Sequence, residues 1–391
     1  MLLSVSLIII VGLALGAICQ KLKLPSLVGM LLTGVILGPY VLDLIDPSIL
    51  NISAQIRKIA LIIILARAGL GLDISGLKKI GRPAVLMCFV PATFELAGVL
   101  LLAPSLLGLS LMEAAVMGAV LAAVSPAVVV PRMIKLMEKG YGRDKSIPEL
   151  ILAGASVDDV YVIVLFTTFT GIMQGQGVSA VSFINIPVSI ALGVVVGAVA
   201  GFLLAELFKV FHMRDTVKTV IMLCVCMLLT VAEDNLNTPV TFASLISVMA
   251  IGVALQRFHP PVVERLSAKF GKLWVVGEVF LFVLVGASVN INYLGNVGLG
   301  ALLMIVLALV FRMLGVFVCL IRTPLNYKER LFTMMAYCPK ATVQAAIGGI
   351  PLALGFACGD TVLTVAVLAI VLTAPLGAFA IDLSYRKLLK N

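Results

Sequence analysis

Apolar windows of roughly 18 to 25 residues, each long enough as a helix to cross about 30 Å of hydrocarbon, recur from one end of the 391-residue sequence to the other. Inside hydrocarbon the backbone must satisfy its own hydrogen bonds, so a chain made of such windows is expected to fold as a bundle of membrane-spanning helices. They leave no stretch long enough for a sizeable soluble domain. A composition of 62% hydrophobic and 12% charged residues agrees, since it lies outside the range of soluble globular domains. About thirteen spans are expected, over 2–19, 25–42, 57–74, 83–103, 111–134, 147–172, 185–208, 217–232, 239–256, 273–290, 297–321, 331–355 and 360–382.

Charge tests the count, because cytoplasmic loops of inserted helices carry the Lys and Arg excess. Loops after odd-numbered spans, from Lys21 and Lys23 through Arg132 to Lys145 and on to Arg386, Lys387 and Lys390, hold 23 of the 28 basic residues. Loops after even-numbered spans hold only Arg57 and Lys58, together with acids such as Asp43, Asp46, Glu233, Asp234 and Asp360. The expected topology has the N-terminus outside and the C-terminus cytoplasmic. The first span lacks a basic leader and is followed by Lys21 and Lys23, so it reads as a retained helix. The net charge of +9 needs no nucleic acid to explain it, and compactness suggests a prokaryotic inner membrane.

Other chemistries leave little trace. The seven cysteines lie mostly within apolar spans, and Cys224 and Cys226, two apart on a helix, point to different faces. His212 and His259 sit in cytoplasmic loops. No phosphate loop, dinucleotide fingerprint or hydrolase motif occurs, so neither an enzyme nor a cofactor is expected.

A small set of charges remains inside the spans: Arg67, Glu95, Asp158, Asp159, Glu278, Arg312 and Lys340. Each costs about 3 kcal/mol at mid-bilayer and therefore marks a candidate site. "ASVDDVYVIVLF" at 155–166 is the sharpest case, with two adjacent carboxylates near the middle of span six. Neighbours on a helix point about 100° apart, so one can line a cavity while the other meets a neighbouring helix. Arg67 and Glu278 read as structural, and the glycines of "GVILGP", "RAGLGL" and "GVVVGAVAG" as close helix contacts.

Two spans carry breaks. Span five reads "LAAVSPAVVVP" around Pro126, and span twelve reads "AYCPKATVQAAIGGIP" around Pro339. Proline removes a backbone donor and clashes with the preceding turn, and unwound backbone survives at membrane depth only against protein or a water-filled cavity. A pair of interrupted helices in corresponding places points to a transporter's midplane ion site. Glu95 lies one helix before the first break and Arg312 one helix before the second, so spans four to six and eleven to thirteen form two corresponding units of opposite entry. The expected division is scaffold 1–82, core 83–172, scaffold and linker 173–296, and core 297–391.

"VSPAVVVP" followed by "GASVDDVYVIVLF", with "LARAGLGLD" at 65–73 and "CPKATVQAAIGGIPLA" at 338–353, resembles the monovalent cation:proton antiporter superfamily, and within it the NHA-type sodium/proton exchangers. The resemblance covers essentially the whole chain. It implies an all-α polytopic membrane protein with an NhaA-type inverted-repeat fold, two crossed discontinuous helices and a homodimer embedded in membrane lipids. It implies further that Asp159 binds the transported Na⁺ or Li⁺ and takes up the proton, and that Asp158 is the pair's first member, which in some relatives meets a basic residue from the position of Arg312. Arginine stands there in place of the lysine of many electrogenic relatives; it is effectively never deprotonated, so a one-for-one, electroneutral exchange at Asp159 is the simplest cycle. Glu95 is the first candidate counter-charge for Arg312 and Asp158 the second. Lys340, just past Pro339, is expected to balance exposed carbonyls at a half-helix end. Ser125, Thr342 and Gln344 offer uncharged oxygens for lining the site. Burial favours a neutral carboxyl and a bound cation favours the ionised form, so proton and cation compete. A K⁺/H⁺ antiporter of the same fold and an organic-anion symporter are the alternatives, the second disfavoured by the two acids.

Overall fold

A computed structural model of the chain describes residues 1–72, 80–176, 180–236 and 242–390, without the side chains of residues 156, 176–187, 234 and 291–297. Its helices in chain order are α1 (Leu2–Lys21), α2 (Ser26–Leu37), α3 (Pro47–Asn51), α4 (Ser53–Gly71), α5 (Arg82–Met87), α6 (Val90–Leu107), α7 (Leu111–Leu121), α8 (Pro126–Glu138) and α9 (Ile147–Gly171). They continue as α10 (Ala180–Val210), α11 (Asp215–Asn235), α12 (Ser244–Phe258), α13 (Pro260–Ala287), α14 (Ile291–Cys319), α15 (Tyr327–Ala336), α16 (Thr342–Ile347), α17 (Ile350–Ala353) and α18 (Gly359–Leu388). No strand occurs among the described residues. Nine helices there are long and apolar enough to cross a membrane, and three shorter apolar stretches stand beside them. The all-helical membrane architecture read from the sequence is therefore present, while the count of thirteen crossings is finer than these lengths decide.

The chain divides into two compact units. The first holds 1–54, 73–170 and 281–391. Its two broken helices start alike. Ser110 caps α7 in a reciprocal box with Glu113, and Asn326 caps α15 in the same way with Glu329. Glu329, fully buried, also takes the Lys145 ammonium at 2.7 Å. Each of these helices then stops at a proline-bearing break and resumes, α8 with Pro126 at its first position and α16 at Thr342.

A third interruption was not expected from the uninterrupted window 83–103. Residues 88–89 separate α5 from α6. Pro91 is the cause: without an N–H it cannot meet the Met87 carbonyl four residues earlier, and the turn tightens to Cys88 N–H on Val85 and Phe89 N–H on Leu86. Close packing fixes the neighbours. Gly98 lies against Phe311 and Gly315 against Pro91 and Phe94, which brings α6 onto α14.

The second unit holds 55–72 and 171–280. Here α10 lays Gly193, Gly197 and Gly201 against Ala243, Ser247 and Ile251, and Gly69 of α4 meets Met249 of α12. These contacts give the glycines of "RAGLGL" and "GVVVGAVAG" their expected close-packing role, except that a Cβ at Gly71 would meet nothing within 4 Å among the described residues. The Gln256 amide then donates to the carbonyls of Gly69, Leu70 and Leu72, holding the end of α4. Arg67 and Glu278, the intramembrane charges read as structural, both belong to this unit.

Candidate functional site

Breaking a helix at mid-membrane frees carbonyls that must find other donors. The stretch after α7 shows where they go. Pro126 cannot donate to the Ala122 carbonyl, and the Arg312 Nη1 takes that place. The amide of Gln344, on the other broken helix, donates to the carbonyls of Val120, Leu121 and Ala123 at 3.2, 3.3 and 3.0 Å. The Val124 N–H goes to Asp158 Oδ2 at 2.8 Å. The Ser125 N–H donates across to the Pro339 carbonyl at 2.8 Å, so the two breaks touch through backbone.

The second break is held by the same cation. Arg312 Nε donates to the Tyr337 carbonyl at 2.6 Å, and its guanidinium lies 4.9 Å from the centroid of the Tyr337 ring. Past Pro339, the Lys340 N–H is taken by the Thr373 hydroxyl at 2.8 Å. Gly377 leaves room on α18 for the Pro339 ring, because a Cβ there would collide with the proline Cγ.

Four charges close around this backbone. Arg312 reaches Glu95 Oε2 at 2.9 Å through Nη1 and Asp158 Oδ2 at 2.8 Å through Nη2. Both counter-charges considered for Arg312 are thus engaged at once. Lys340 Nζ meets the same Glu95 oxygen at 2.5 Å. All four side chains are buried. The cation that faces the half-helix carbonyls is therefore Arg312, and Lys340, expected in that role from its place after Pro339, pairs with a carboxylate instead. The reason is reach: Arg312 carries donors in several directions and spans both breaks, whereas the ammonium has a carboxylate within contact.

Two acids and two bases balance, and Asp159 is the remaining carboxylate. It is buried, it joins no ion pair among the described residues, and its Oδ1 has no hydrogen-bond partner there. The Oδ1 of Asp158, the Ser125 and Thr342 hydroxyls and the Gln344 Oε1 are likewise unpartnered. These are five of the nine such buried atoms among the described residues. Unsatisfied oxygens on this scale are costly unless something else satisfies them, and oxygen donors of this kind suit hard cations. The eight residues that the sequence assigns to the ion site and its charge compensation all belong to the first unit, unlike Arg67 and Glu278. Hydrogen bonds join six of them: Glu95, Asp158, Arg312 and Lys340 through their side chains, Ser125 and Gln344 through the first break. Asp159 follows Asp158 directly, and Thr342 lies midway between Lys340 and Gln344 in sequence.

Tyr337 and Thr373 were missed by sequence reasoning. Tyr337 resembles any packing aromatic, and the only available signal was its place two residues before a mid-span proline. All seven cysteines are free, Cys226 buried and Cys224 exposed. Among the described residues no group of three or more His, Cys, Asp or Glu is placed to hold a metal ion.

The chain is 36% identical to human sodium/hydrogen exchanger 9B2 over 385 residues, which cover 94% of it and 70% of that protein. It is 35% identical to the Xenopus tropicalis 9B2 protein, over 96% of this chain and 72% of the relative, and 31% identical to human sodium/hydrogen exchanger 9B1, over 94% and 73%. Among solved structures, the sodium proton antiporter MjNhaP1 of Methanocaldococcus jannaschii superposes with a TM-score of 0.86 at 23% identity, over 99% of this chain and 98% of the other, and shares its fold. The three sodium/hydrogen exchanger relatives are vertebrate proteins, which contradicts the expected prokaryotic inner membrane; compactness says nothing about origin. A family model described as sodium/hydrogen exchanger, transmembrane, matches residues 5–382. That match contains both breaks and every charge around them, and the chain belongs to the sodium/hydrogen exchanger family.

Proposed function

We propose that the protein exchanges Na⁺ or Li⁺ for H⁺ by alternating access, one for one, with cation and proton competing for Asp159. The observation that carries this reading is the charge balance of the site. Glu95 and Asp158 are neutralised by Arg312 and Lys340, which leaves one buried carboxylate that a single H⁺ or a single monovalent cation neutralises equally well. A core loaded with either ion then carries the same net charge, so exchange is electroneutral. The unpartnered oxygens of Asp158, Ser125, Thr342 and Gln344 supply the rest of a cation shell, and a bound anion would meet a surplus carboxylate. In this reading the breaks belong to an inverted repeat in a thirteen-span protein, N-terminus outside and C-terminus cytoplasmic, working as a homodimer in membrane lipid. The core is 83–172 with 297–391, and the scaffold is 1–82 with 173–296.

The test is dissipation of a pH gradient in proteoliposomes by sodium, lithium and potassium, for the wild type and for Asp159→Asn. Sodium or lithium should collapse the gradient at a rate unchanged by an imposed voltage, and the variant should be silent. Voltage-dependent exchange would remove the one-for-one stoichiometry, a response to potassium alone would change the substrate, and an active Asp159→Asn protein would remove the competition mechanism.

A further inference from the structure

Arg312 balances two acids and must not balance a third. Asp159 is the sequence neighbour of Asp158, whose Oδ2 sits 2.8 Å from the guanidinium, so a modest swing of the arginine would bring a permanent cation toward the ion-binding carboxylate. Something has to hold the guanidinium in place. Glu95 and the Ala122 carbonyl hold Nη1, and Asp158 holds Nη2. The Nε side is held by Tyr337.

Tyr337 is fully buried and acts on Arg312 twice, by its carbonyl at 2.6 Å from Nε and by its ring face at 4.9 Å. Its own position is fixed at the far end. The Tyr337 hydroxyl donates to the Met87 carbonyl at 2.9 Å, the carbonyl that Pro91 leaves without a helical donor. Gly154 makes the space: a Cβ at that residue would lie 2.6 Å from the Tyr337 hydroxyl oxygen and 2.8 Å from the Met87 Cβ. Gly154 stands one helical turn before Asp158 on α9. The tyrosine therefore spans three elements: the break after α15, the interruption between α5 and α6, and the helix that carries both aspartates.

We infer that Tyr337 is a positioning residue for ion exchange, a strut between the Met87 carbonyl and the Arg312 guanidinium that keeps the arginine on Glu95 and Asp158 and leaves Asp159 free for cation or proton. The inference rests on the proposed exchange at Asp159. Without the strut, a guanidinium nearer Asp159 competes with both transported ions. Apparent affinity for sodium falls and the pH profile of exchange moves toward acid, while the rate at saturating sodium changes less.

The experiment measures sodium-driven dissipation of a pH gradient in proteoliposomes across sodium concentration and pH, for the wild type, Tyr337→Leu, Tyr337→Phe and Gly154→Ala. Tyr337→Leu removes the ring face and the hydroxyl. It should raise the apparent KM for sodium on the order of tenfold, in line with losing a desolvated cation–aromatic contact, with the acid displacement of the profile. Tyr337→Phe keeps the ring and should show a smaller change in the same direction. Gly154→Ala displaces the hydroxyl without altering Tyr337 itself and should reproduce the Phe phenotype, which keeps the idea testable if the leucine variant fails to fold. A fall in rate at unchanged KM and unchanged pH profile in the folded variants would overturn the inference and leave Tyr337 a packing residue. An inert wild-type protein would instead overturn the exchange reading beneath it.

Discussion

Replacing Glu95 with Gln isolates the electrostatics of the site, because the shape is kept and only the charge is removed. A single carboxylate oxygen, Oε2, serves both Arg312 at 2.9 Å and Lys340 at 2.5 Å. The two cations do not suffer equally. Arg312 keeps Asp158 and the carbonyls of Ala122 and Tyr337, whereas Glu95 is the ion-pair partner of Lys340. The loss is therefore one uncompensated buried charge, about 3–5 kcal/mol for breaking such a pair, rather than twice that. Equilibrium unfolding in mixed micelles, titrated with a denaturing detergent, should place Glu95→Gln below the wild type by this amount. The Glu95→Gln, Lys340→Met double variant removes the stranded cation as well and should recover about 1–3 kcal/mol as pairwise coupling. A single variant as stable as the wild type, or a double variant no better than the single, would refute the pairing argument.

Three further outcomes follow from the same geometry. Asp159→Asn, which the proposed exchange requires to be silent, should be at least as stable as the wild type in the same unfolding assay, because an unpaired buried carboxylate is a cost to the fold. Gln344→Glu replaces the amide that holds the carbonyls of Val120, Leu121 and Ala123 with an acceptor, and should lose about 3 kcal/mol or more, read from the same titration. His259, outside the spans, is held below its ordinary value of 6.5 by burial and then by Lys218, Lys209 and Arg265, against a smaller opposing pull from Glu206. The unfolded chain then binds more protons than the folded one as pH falls below 6.5, so stability drops there. His259→Gln should show a shallower loss of stability on acidification over that range.

Several parts of this site were legible in the sequence for physical reasons. Pro126 and Pro339 announced breaks because a mid-span proline removes a donor and clashes with the preceding turn, although Pro104, Pro131 and Pro375 stand inside continuous helices. Asp158, Asp159, Glu95, Arg312 and Lys340 stood out because hydrocarbon makes charge expensive. Partner choice was not legible. Lys340 and Glu95 are 245 residues apart, and nothing local distinguishes an ammonium that faces carbonyls from one that faces a carboxylate. The interruption at Cys88 and Phe89 was missed although Pro91 was in view, because a proline in the first turn after a break looks like a proline starting a helix. The reciprocal caps at Ser110 and Asn326 were readable as S-x-x-E and N-x-x-E, and would have dated the start of each broken helix more closely than hydropathy did.

The backbone contact between Ser125 and Pro339 has a consequence for how this region can fail. Two crossings joined by an amide of one and a carbonyl of the other, with Arg312 gripping both and Gln344 reaching from one to three carbonyls of its partner, have no seam along which one could loosen alone. Heat, a wedge-shaped inhibitor or a misplaced side chain should then melt both breaks in one cooperative step. Hydrogen-exchange protection around Ser125 and around Pro339 would then be lost at a single midpoint.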